Sequence, residues 1–292
     1  MINILILGNG FIGSRLYAKL NTIESVNINI LSQSDVDYTE MSELDAHIRE
    51  HNMLPDAIIN ACGYTGVPNV DACEGDKSNC WRLNTVLPVN LANYCSLISA
   101  RLIHISSGCI YNGYSKVWTE ADRPNFGIFN DSSSFYSKSK HAAETLLADT
   151  DSIIFRIRMP FTMDNSKRNY LNKILQYDNI ISMDNSVTCV EDFISMFIDM
   201  VKYEELLNIE AGAYNIVNPE PTNAEDVVQV LKKFGLENPN WKIIPLSKLE
   251  TKANRSNCVL SSEKLASIGH FLPPTRDSLV QSASLLSKQL LK

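Results

Sequence analysis

The sequence predicts an α/β protein built on a doubly wound parallel sheet, and three observations support that prediction. Short, continuous apolar runs alternate with amphipathic helical segments along the first half of the chain. A glycine-rich turn follows the first apolar run directly and precedes the first helical segment. Serine and cysteine side chains, which can take part in catalysis, follow the fourth apolar run, at the strand end where open α/β sheets bind their ligands.

The composition of the chain limits the classes of protein to which it can belong. Its 292 residues suffice for a nucleotide-binding domain and a smaller lobe, and its net charge of −7 argues against a nucleic-acid partner. No apolar run could span a membrane, and a strand starting at residue 2 leaves no room for a signal peptide, which predicts a cytoplasmic protein. Seven cysteines without metal-ligand spacing are expected to be reduced thiols, and no metal site is predicted.

The first strand and helix surround a nucleotide-binding fingerprint. The apolar run 2–7 predicts a central strand, and the sequence G-N-G-F-I-G follows it immediately. Helical rhythm then begins, so the pattern is strand, tight turn and helix, whose N-terminal amides can bind a pyrophosphate. Cofactor contacts are therefore predicted for Gly8, Gly10, Phe11, Ile12 and Gly13.

The end of the second predicted strand bears on which cofactor is used. This strand ends in S-Q-S-D, without an immediate carboxylate, whereas NAD enzymes usually have one there to bind the ribose 2′-hydroxyl. The hydroxyls of Ser32 and Ser34, with Arg15 nearby, suit a 2′-phosphate better, which favours NADPH. NADH is the alternative, in which Asp35 takes the acidic role. Cofactor contacts are predicted here for Ser32 and Asp37.

The third predicted strand ends in the small residues N-A-C-G, beginning at Asn60. Small side chains let a backbone approach a flat ligand closely. A long helix, predicted from about 76 to 99, then leads into a fourth strand around Ile103. Further cofactor contacts are predicted for Asn60, Ala61 and Cys62.

The segment from 106 to 140 contains the parts of a carbonyl-reducing site. Ser107 and Cys109 follow the fourth strand, and Tyr136 and Lys140 stand four residues apart, on one face of a predicted helix. An ammonium that close should favour the phenolate and lower the pKa of the tyrosine. The phenol nevertheless keeps a proton that it can donate to a developing alkoxide.

The regular alternation of strand and helix loosens after a fifth strand that ends near residue 157. The prediction is therefore a nucleotide-binding domain over 1–160, to which the chain returns near 187–218. A smaller, mixed substrate-binding lobe is predicted for 161–186 and 219–292.

The order of these motifs, with Asn84 on the long helix, resembles the extended short-chain dehydrogenase/reductase superfamily, which has the Rossmann fold. Within it the chain is similar to dTDP-4-dehydrorhamnose reductases, and in particular to bifunctional UDP-4-keto-6-deoxyglucose 3,5-epimerase/4-reductases of UDP-L-rhamnose synthesis. The specific segments are G-C-I-Y at 108–111 and R-M-P at 158–160. Reductases without epimerase activity typically carry Asp-Tyr at the position of Gly108 and Cys109. The glycine turn is one residue shorter than the family's usual G-x-x-G-x-x-G.

The resemblance implies an NADPH-dependent nucleotide-sugar enzyme with two activities. It assigns proton transfer during epimerisation to Cys109 and Lys173, without deciding which is the base. It assigns hydride transfer to a site in which Ser107 and Tyr136 bind the C4 oxygen and Lys140 also contacts the nicotinamide ribose. Predicted substrate contacts are Asn69, Ser107, Cys109 and Arg255, the last as a fork for a diphosphate.

Other interpretations stay open at this point. A reductase that receives an already epimerised substrate is one, and a non-catalytic NADP-binding regulatory subunit is another. The carrier of the sugar could be UDP or dTDP, because the family covers both. Relatives commonly dimerise, so we expect a homodimer, with a nucleotide sugar as substrate and neither nucleic acid nor a membrane as partner.

Overall fold

The computed structural model describes residues 1–67 and 69–291. Its strands are β1 (Ile2–Leu7), β2 (Val26–Leu31), β3 (Ala57–Asn60), β4 (Arg101–Ser107), β5 (Ile153–Ile157), β6 (Asn179–Ile181), β7 (Gly212–Asn215) and β8 (Lys242–Ile244). Six of them form one sheet in the order β2-β1-β3-β4-β5-β7, and every neighbouring pair is parallel. The predicted doubly wound parallel sheet is thereby confirmed.

Helices cover both faces of this sheet, so its central strands β3 and β4 are buried on both sides. The helices are α1 (Gly13–Leu20), α2 (Met41–Glu50), α3 (Ala72–Gly75), α4 (Lys77–Trp81), α5 (Leu87–Ile98), α6 (Phe135–Leu147), α7 (Tyr170–Gln176), α8 (Val190–Lys202), α9 (Ala224–Lys233), α10 (Glu263–Ser267) and α11 (Thr275–Leu290). One hydrophobic cluster joins the sheet to α1 and α8, and a second joins it to α2 and α5. All seven residues of β4 are buried.

The strand order reverses between β1 and β3, and this reversal defines where a ligand can bind. Chain segments leave the carboxyl ends of these two strands in opposite directions, which opens a crevice between them. The glycine turn follows β1 and the N-A-C-G segment follows β3, so both lie at this crevice. The sheet topology therefore brings together two segments that are about fifty residues apart in the sequence.

The long helix predicted for 76–99 is interrupted in the structure. A π-helical turn, Arg82–Val86, lies between α4 and α5, so one residue more than usual fits into that turn. The interruption directs Asn84 into the interior, where its side chain is fully buried. The helix ends at Ile98, and Ser99 follows it in the left-handed conformation, with φ of 58°.

A third hydrophobic cluster lies away from the six-stranded sheet. It joins α7, α9 and α11 with residues around Phe161 and Val187. Beside it, β6 and β8 form a separate two-stranded parallel sheet. Leu265 and Leu272, in contrast, pack into the cluster with α1 and α8. The predicted division into a domain and a lobe stays a prediction.

No helix within residues 1–67 and 69–291 combines the length and the apolar composition that a membrane span requires.

Candidate active site

The glycine turn after β1 is packed against the end of β3. Gly8 has a φ of +104°, and a Cβ placed on Gly13 would lie 2.0 Å from the Gly8 carbonyl oxygen. The same Cβ would lie 3.2 Å from Cβ of Ala61, and one on Gly8 would lie 2.9 Å from Sγ of Cys62. Gly10 differs, because a Cβ there would meet nothing within 4 Å. Two glycines are thus required by packing, and the third leaves an open face at the crevice.

Polar groups at the end of β2 bind one another. The Asp35 carboxylate accepts hydrogen bonds from the Ser32 amide at 2.7 Å and from the Ser32 hydroxyl at 2.6 Å. The Ser32 and Ser34 hydroxyl oxygens are 2.7 Å apart. The bonds from Ser32 lower the pKa of Asp35, so this group is a carboxylate at neutral pH. An acidic side chain therefore lies at this strand end after all.

The other residues predicted near the end of β2 have partners of their own. The Arg15 guanidinium forms an ion pair with Asp164 and donates to the Phe11 carbonyl at 2.7 Å. It is therefore not free for a 2′-phosphate as the sequence suggested. Asp37 accepts a hydrogen bond from the Thr39 hydroxyl at 2.6 Å, which lowers the pKa of Asp37.

Tyr136 is buried near the start of α6, in a cluster with Cys73 and Cys80 against which Cys109 packs. Burial raises the pKa of Tyr136 well above its usual value, the nearby Cys109 adds to this, and the Ser107 side chain opposes it. The predicted lowering of this pKa was wrong, because burial outweighs the other influences. A phenol that stays protonated is suited to act as an acid.

Lys140 lies one turn after Tyr136, and its ammonium faces the sheet. Its Nζ is 3.4 Å from the Ile105 carbonyl oxygen, and the residue is only 3% exposed. Burial lowers the pKa of Lys140 to about 8, and the Glu144 carboxylate opposes that shift. The neighbouring His104 is wholly buried, and burial together with the Lys140 charge keeps its pKa well below the usual range. Lys140 is therefore the cation beneath the site.

Asn84, in the π-helical turn, fixes the segment after β3. Its Oδ1 accepts a hydrogen bond from the Tyr64 amide at 2.8 Å, and its Nδ2 donates to the Tyr64 carbonyl at 2.9 Å. Nδ2 also lies 3.1 Å from Oγ of Ser139, on α6. Asn84 thereby joins the third strand's end to the helix that carries Tyr136 and Lys140.

Cys109 is partly exposed, whereas the six other cysteines are buried. Its amide lies 3.3 Å from Oγ of Ser107, and its Sγ lies 3.5 Å from Nη1 of Arg158. Arg158 follows β5 and is 1% exposed. The structure thus brings Ser107, Cys109, Tyr136 and Lys140 together at the carboxyl end of β4.

Lys173 lies on α7, at the side of the third hydrophobic cluster. Burial lowers the pKa of Lys173, and the charges of Arg168 and Arg255 lower it further. Arg168 donates a hydrogen bond to the hydroxyl of Thr65, which lies in the segment after β3. A cluster of cations therefore faces the loop that follows the third strand.

Arg255 and Asn69, both predicted substrate contacts, are bonded within the protein. Arg255 forms a two-pronged ion pair with Asp71, at 2.8 and 3.1 Å. Asn69 accepts a hydrogen bond from the Asp71 amide at 2.9 Å. A diphosphate would therefore have to compete with the Asp71 carboxylate for the arginine fork.

A buried ion pair supports the helix that carries the site. Glu144 binds Arg156 at 2.7 Å, with both side chains about 6% exposed, and accepts a hydrogen bond from the Ser106 hydroxyl. Arg156 also donates to the Tyr111 hydroxyl at 3.1 Å. Glu144 lies one turn after Lys140, so this network ties α6 to β4 and β5.

Sequence reasoning missed Glu144 and Arg158 as members of the site. The signal for Glu144 was its spacing of four residues from Lys140 on the same helix face. The signal for Arg158 was a second arginine, two residues after Arg156, at the end of an otherwise apolar strand. Charged residues are seldom buried without a reason, so both could have been noted.

The parallel sheet with helices on both faces and the glycine turn after β1 define a Rossmann fold, which a solved dTDP-4-dehydrorhamnose reductase of Clostridium acetobutylicum shares. The chain belongs to the RmlD family, whose model, described as RmlD substrate binding domain, matches residues 2–286. It is 31% identical over 241 residues to a bifunctional dTDP-4-dehydrorhamnose 3,5-epimerase/dTDP-4-dehydrorhamnose reductase of Arabidopsis thaliana, covering 79% of this chain and 77% of that one. The predicted resemblance to the dTDP-4-dehydrorhamnose reductase type is confirmed.

Larger relatives and solved structures agree with this family. A trifunctional UDP-glucose 4,6-dehydratase/UDP-4-keto-6-deoxy-D-glucose 3,5-epimerase/UDP-4-keto-L-rhamnose-reductase of the same plant is 30% identical over 83% of this chain, which spans only 36% of that protein. The UDP-rhamnose synthase of Acanthamoeba polyphaga mimivirus matches with a TM-score of 0.85 at 26% identity, over 98% of this chain and 99% of that one. A Bacillus anthracis dTDP-4-dehydrorhamnose reductase in complex with NADP matches in fold, with a TM-score of 0.80 at 20% identity, over 96% and 98% of the two chains.

Proposed function

We propose that this chain is a bifunctional 3,5-epimerase/4-reductase that converts UDP-4-keto-6-deoxyglucose to UDP-L-rhamnose with NADPH. The observation that carries the proposal is Cys109, a partly exposed thiol beside Tyr136 and 3.5 Å from the Arg158 guanidinium. A reductase that does not epimerise has no need of a proton-transferring thiol at this position. The mimivirus relative, a UDP-rhamnose synthase, supports UDP as the carrier.

Epimerisation requires that a proton leave one face of a carbon and another arrive on the opposite face. The C4 ketone makes the hydrogens at C3 and C5 acidic, because the electron pair of the broken C–H bond moves to the ketone oxygen as an enolate. Cys109 and Lys173 are the proposed partners in this exchange. Burial lowers the pKa of Lys173, which makes the neutral amine, the form that can accept a proton, easier to reach.

Reduction at C4 uses the groups around α6. The nicotinamide cofactor, when bound, supplies the hydride. Tyr136 donates its proton to the C4 oxygen, and the Ser107 hydroxyl binds the same oxygen in both the enolate and the alkoxide. The charge of Lys140 beneath the site favours negative charge developing at that oxygen.

The residues at the crevice fit a dinucleotide. Gly10 leaves room for a close pyrophosphate, and Nδ2 of Asn60 is buried without a hydrogen-bond partner among the residues that the structure describes. The glycine turn and the segment from Asn60 to Cys62 would hold the cofactor, with Lys140 near its ribose. The reductase solved with NADP supports NADPH, whereas Asp35 at the end of β2 keeps NADH as an alternative.

Two glycine substitutions should separate folding from cofactor binding. Gly13→Ala would force a methyl group against the Gly8 carbonyl oxygen and should lower the free energy of unfolding by about 1–3 kcal/mol. Gly10→Ala has open space, so it should keep wild-type stability and raise the KM for NADPH about tenfold or more. Urea unfolding and steady-state kinetics measure the two effects. Equal loss of stability in both variants would contradict this division.

The rate of reduction should fall as the pH rises through about 8, because Lys140 loses its charge there. Glu144→Gln should shift the fall to lower pH, since the Glu144 carboxylate favours the ammonium. If Glu144→Gln left the pH profile of kcat unchanged, this account would be contradicted.

The lowered pKa of Lys140 should also affect stability. The pKa in the folded protein lies below the ordinary 10.5, so between pH 8 and 10.5 Lys140 binds fewer protons in the folded than in the unfolded protein. The free energy of unfolding of the wild type should therefore rise from pH 8 to 10.5 relative to that of Lys140→Met.

At the other end of the substrate, we propose that Arg255 and Asn69 bind the nucleotide diphosphate. The Arg255 guanidinium matches a diphosphate in shape and charge, and the diphosphate would replace the Asp71 carboxylate that this guanidinium binds. We also propose that the protein is a homodimer and that it is cytoplasmic.

NMR of the sugar nucleotide formed from UDP-4-keto-6-deoxyglucose and NADPH in deuterated water tests the proposal. UDP-L-rhamnose labelled at C3 and C5 is the expected product. An unlabelled 6-deoxyhexose with the original configuration would mean a reductase alone. No turnover at all would favour the regulatory-subunit interpretation.

A further inference from the structure

Arg156 lies in β5 and Arg158 directly follows this strand, and both side chains are almost fully buried. Arg156 is neutralised by the Glu144 carboxylate at 2.7 Å. Arg158, two residues later, forms no ion pair with a carboxylate in the described part of the chain. Two arginines only two residues apart thus differ: Arg156 is paired with a carboxylate and Arg158 is not.

The partners of Arg158 are neutral groups with one exception. Its Nη2 donates to the Ser256 carbonyl at 2.8 Å and to Oδ1 of Asn185, and its Nη1 donates to the Ser256 hydroxyl at 3.1 Å. Its Nε is buried without a partner among residues 1–67 and 69–291. The exception is Sγ of Cys109, 3.5 Å from Nη1, because a thiol can become an anion.

A buried cation without an anion is costly, so such charges are normally paired. The titratable groups around Cys109 are the Arg158 and Lys140 cations, the phenols of Tyr136 and Tyr64, and the thiols of Cys73, Cys80 and Cys258. Both charged groups in this set are positive. Met159, directly after Arg158, has a φ of 39°, a strained conformation for a residue with a side chain. The protein thus keeps the Arg158 guanidinium against the Cys109 sulfur, although the buried unpaired charge and the strained Met159 backbone both cost free energy.

We propose that Arg158 is a positioning residue that fixes the Cys109 sulfur and supplies the positive charge that stabilises its thiolate. The inference rests on the proposed epimerase function and takes Cys109 as the group that removes a proton from carbon, for which the thiolate is the reactive form. It makes Arg158 a determinant of epimerisation that acts through Cys109 and need not touch the substrate.

The test is alkylation by iodoacetamide without substrate, with the rate at pH 6 compared with that at pH 9. Only the thiolate reacts, and the ratio of the two rates cancels the accessibility of the sulfur. Cys109→Ser gives the background from the buried thiols. Glutathione, an ordinary thiol, should change on the order of a hundredfold between these pH values. The alkylation rate of Cys109 in the wild type should change less than about tenfold between pH 6 and pH 9.

Three variants assign the effect to the charge of Arg158. Arg158→Met should make the pH dependence as steep as that of glutathione, and Arg158→Lys, which keeps a cation, should keep it shallow. Ser256→Ala removes a neutral partner of Arg158 and should match the wild type. Circular dichroism verifies the fold of each variant.

A wild-type pH dependence as steep as that of glutathione would overturn the inference, even if Arg158→Met does not fold. The inference would also be overturned if Arg158→Met folds and the alkylation rate of its Cys109 still depends only weakly on pH. Because no substrate is present, this result is independent of the labelling experiment. The two experiments can also disagree. If the alkylation rate of wild-type Cys109 depends only weakly on pH but no deuterium appears at C3 or C5, the thiolate is supported and the epimerase function is rejected.

Discussion

Cys109→Ala should lower the rate of conversion of UDP-4-keto-6-deoxyglucose by about 10²–10⁴-fold, the usual contribution of a positioned acid or base. Reduction of the already epimerised 4-keto-rhamnose nucleotide should stay within about threefold of the wild-type rate. The reason is that Tyr136, Ser107 and Lys140 all remain in place, and the sulfur takes no part in protonating the C4 oxygen. Separate assays on the two substrates, with NADPH oxidation as the signal, measure the two rates.

Cys258→Ala is a matched control for this variant. Cys258 also neighbours the Arg158 charge, but its thiol is fully buried and lies 3.8 Å from the Gly108 carbonyl oxygen. Its removal should leave both activities near the wild-type values. If Cys109→Ala lost both activities equally, the division of labour between Cys109 and Tyr136 would have to be abandoned.

The parts of the fold that local sequence patterns specify were predicted well. The strand at 2–7, the glycine turn and the following helix are each encoded within a few residues, and their order implies the parallel sheet. The helix that carries Tyr136 and Lys140 was predicted for the same reason, because their spacing of four residues is a local feature. Their catalytic roles stay a prediction.

The features that sequence reasoning missed depend on contacts between distant segments. Arg255 and Asp71 are separated by 184 residues, so their ion pair could not be read from either segment alone. The raised pKa of Tyr136 follows from burial among Cys73, Cys80 and Cys109, which three separate segments contribute. Electrostatic properties of a site depend on all of its neighbours, whereas spacing along one helix reports only one of them.

Tyr136→Phe should lower the formation of UDP-L-rhamnose by about 10²–10⁴-fold, because no other described group is assigned to protonate the C4 oxygen. Tyr64→Phe is the matched control. Tyr64 packs against the same cluster, but its hydroxyl donates to the Asp76 carboxylate at 3.0 Å. Its loss should leave reduction within about threefold of the wild-type rate.

Deuterium exchange in the Tyr136→Phe variant then separates the two halves of the reaction. Enolate formation needs a base for the carbon-bound proton and a hydrogen bond to the ketone oxygen, and Cys109, Lys173 and Ser107 still supply these. Exchange at C3 or C5 should therefore continue, at about a tenth of the wild-type rate or faster, while reduction is lost. If exchange stops together with reduction, Tyr136 also stabilises the enolate, and the raised pKa that keeps its proton in place serves both steps.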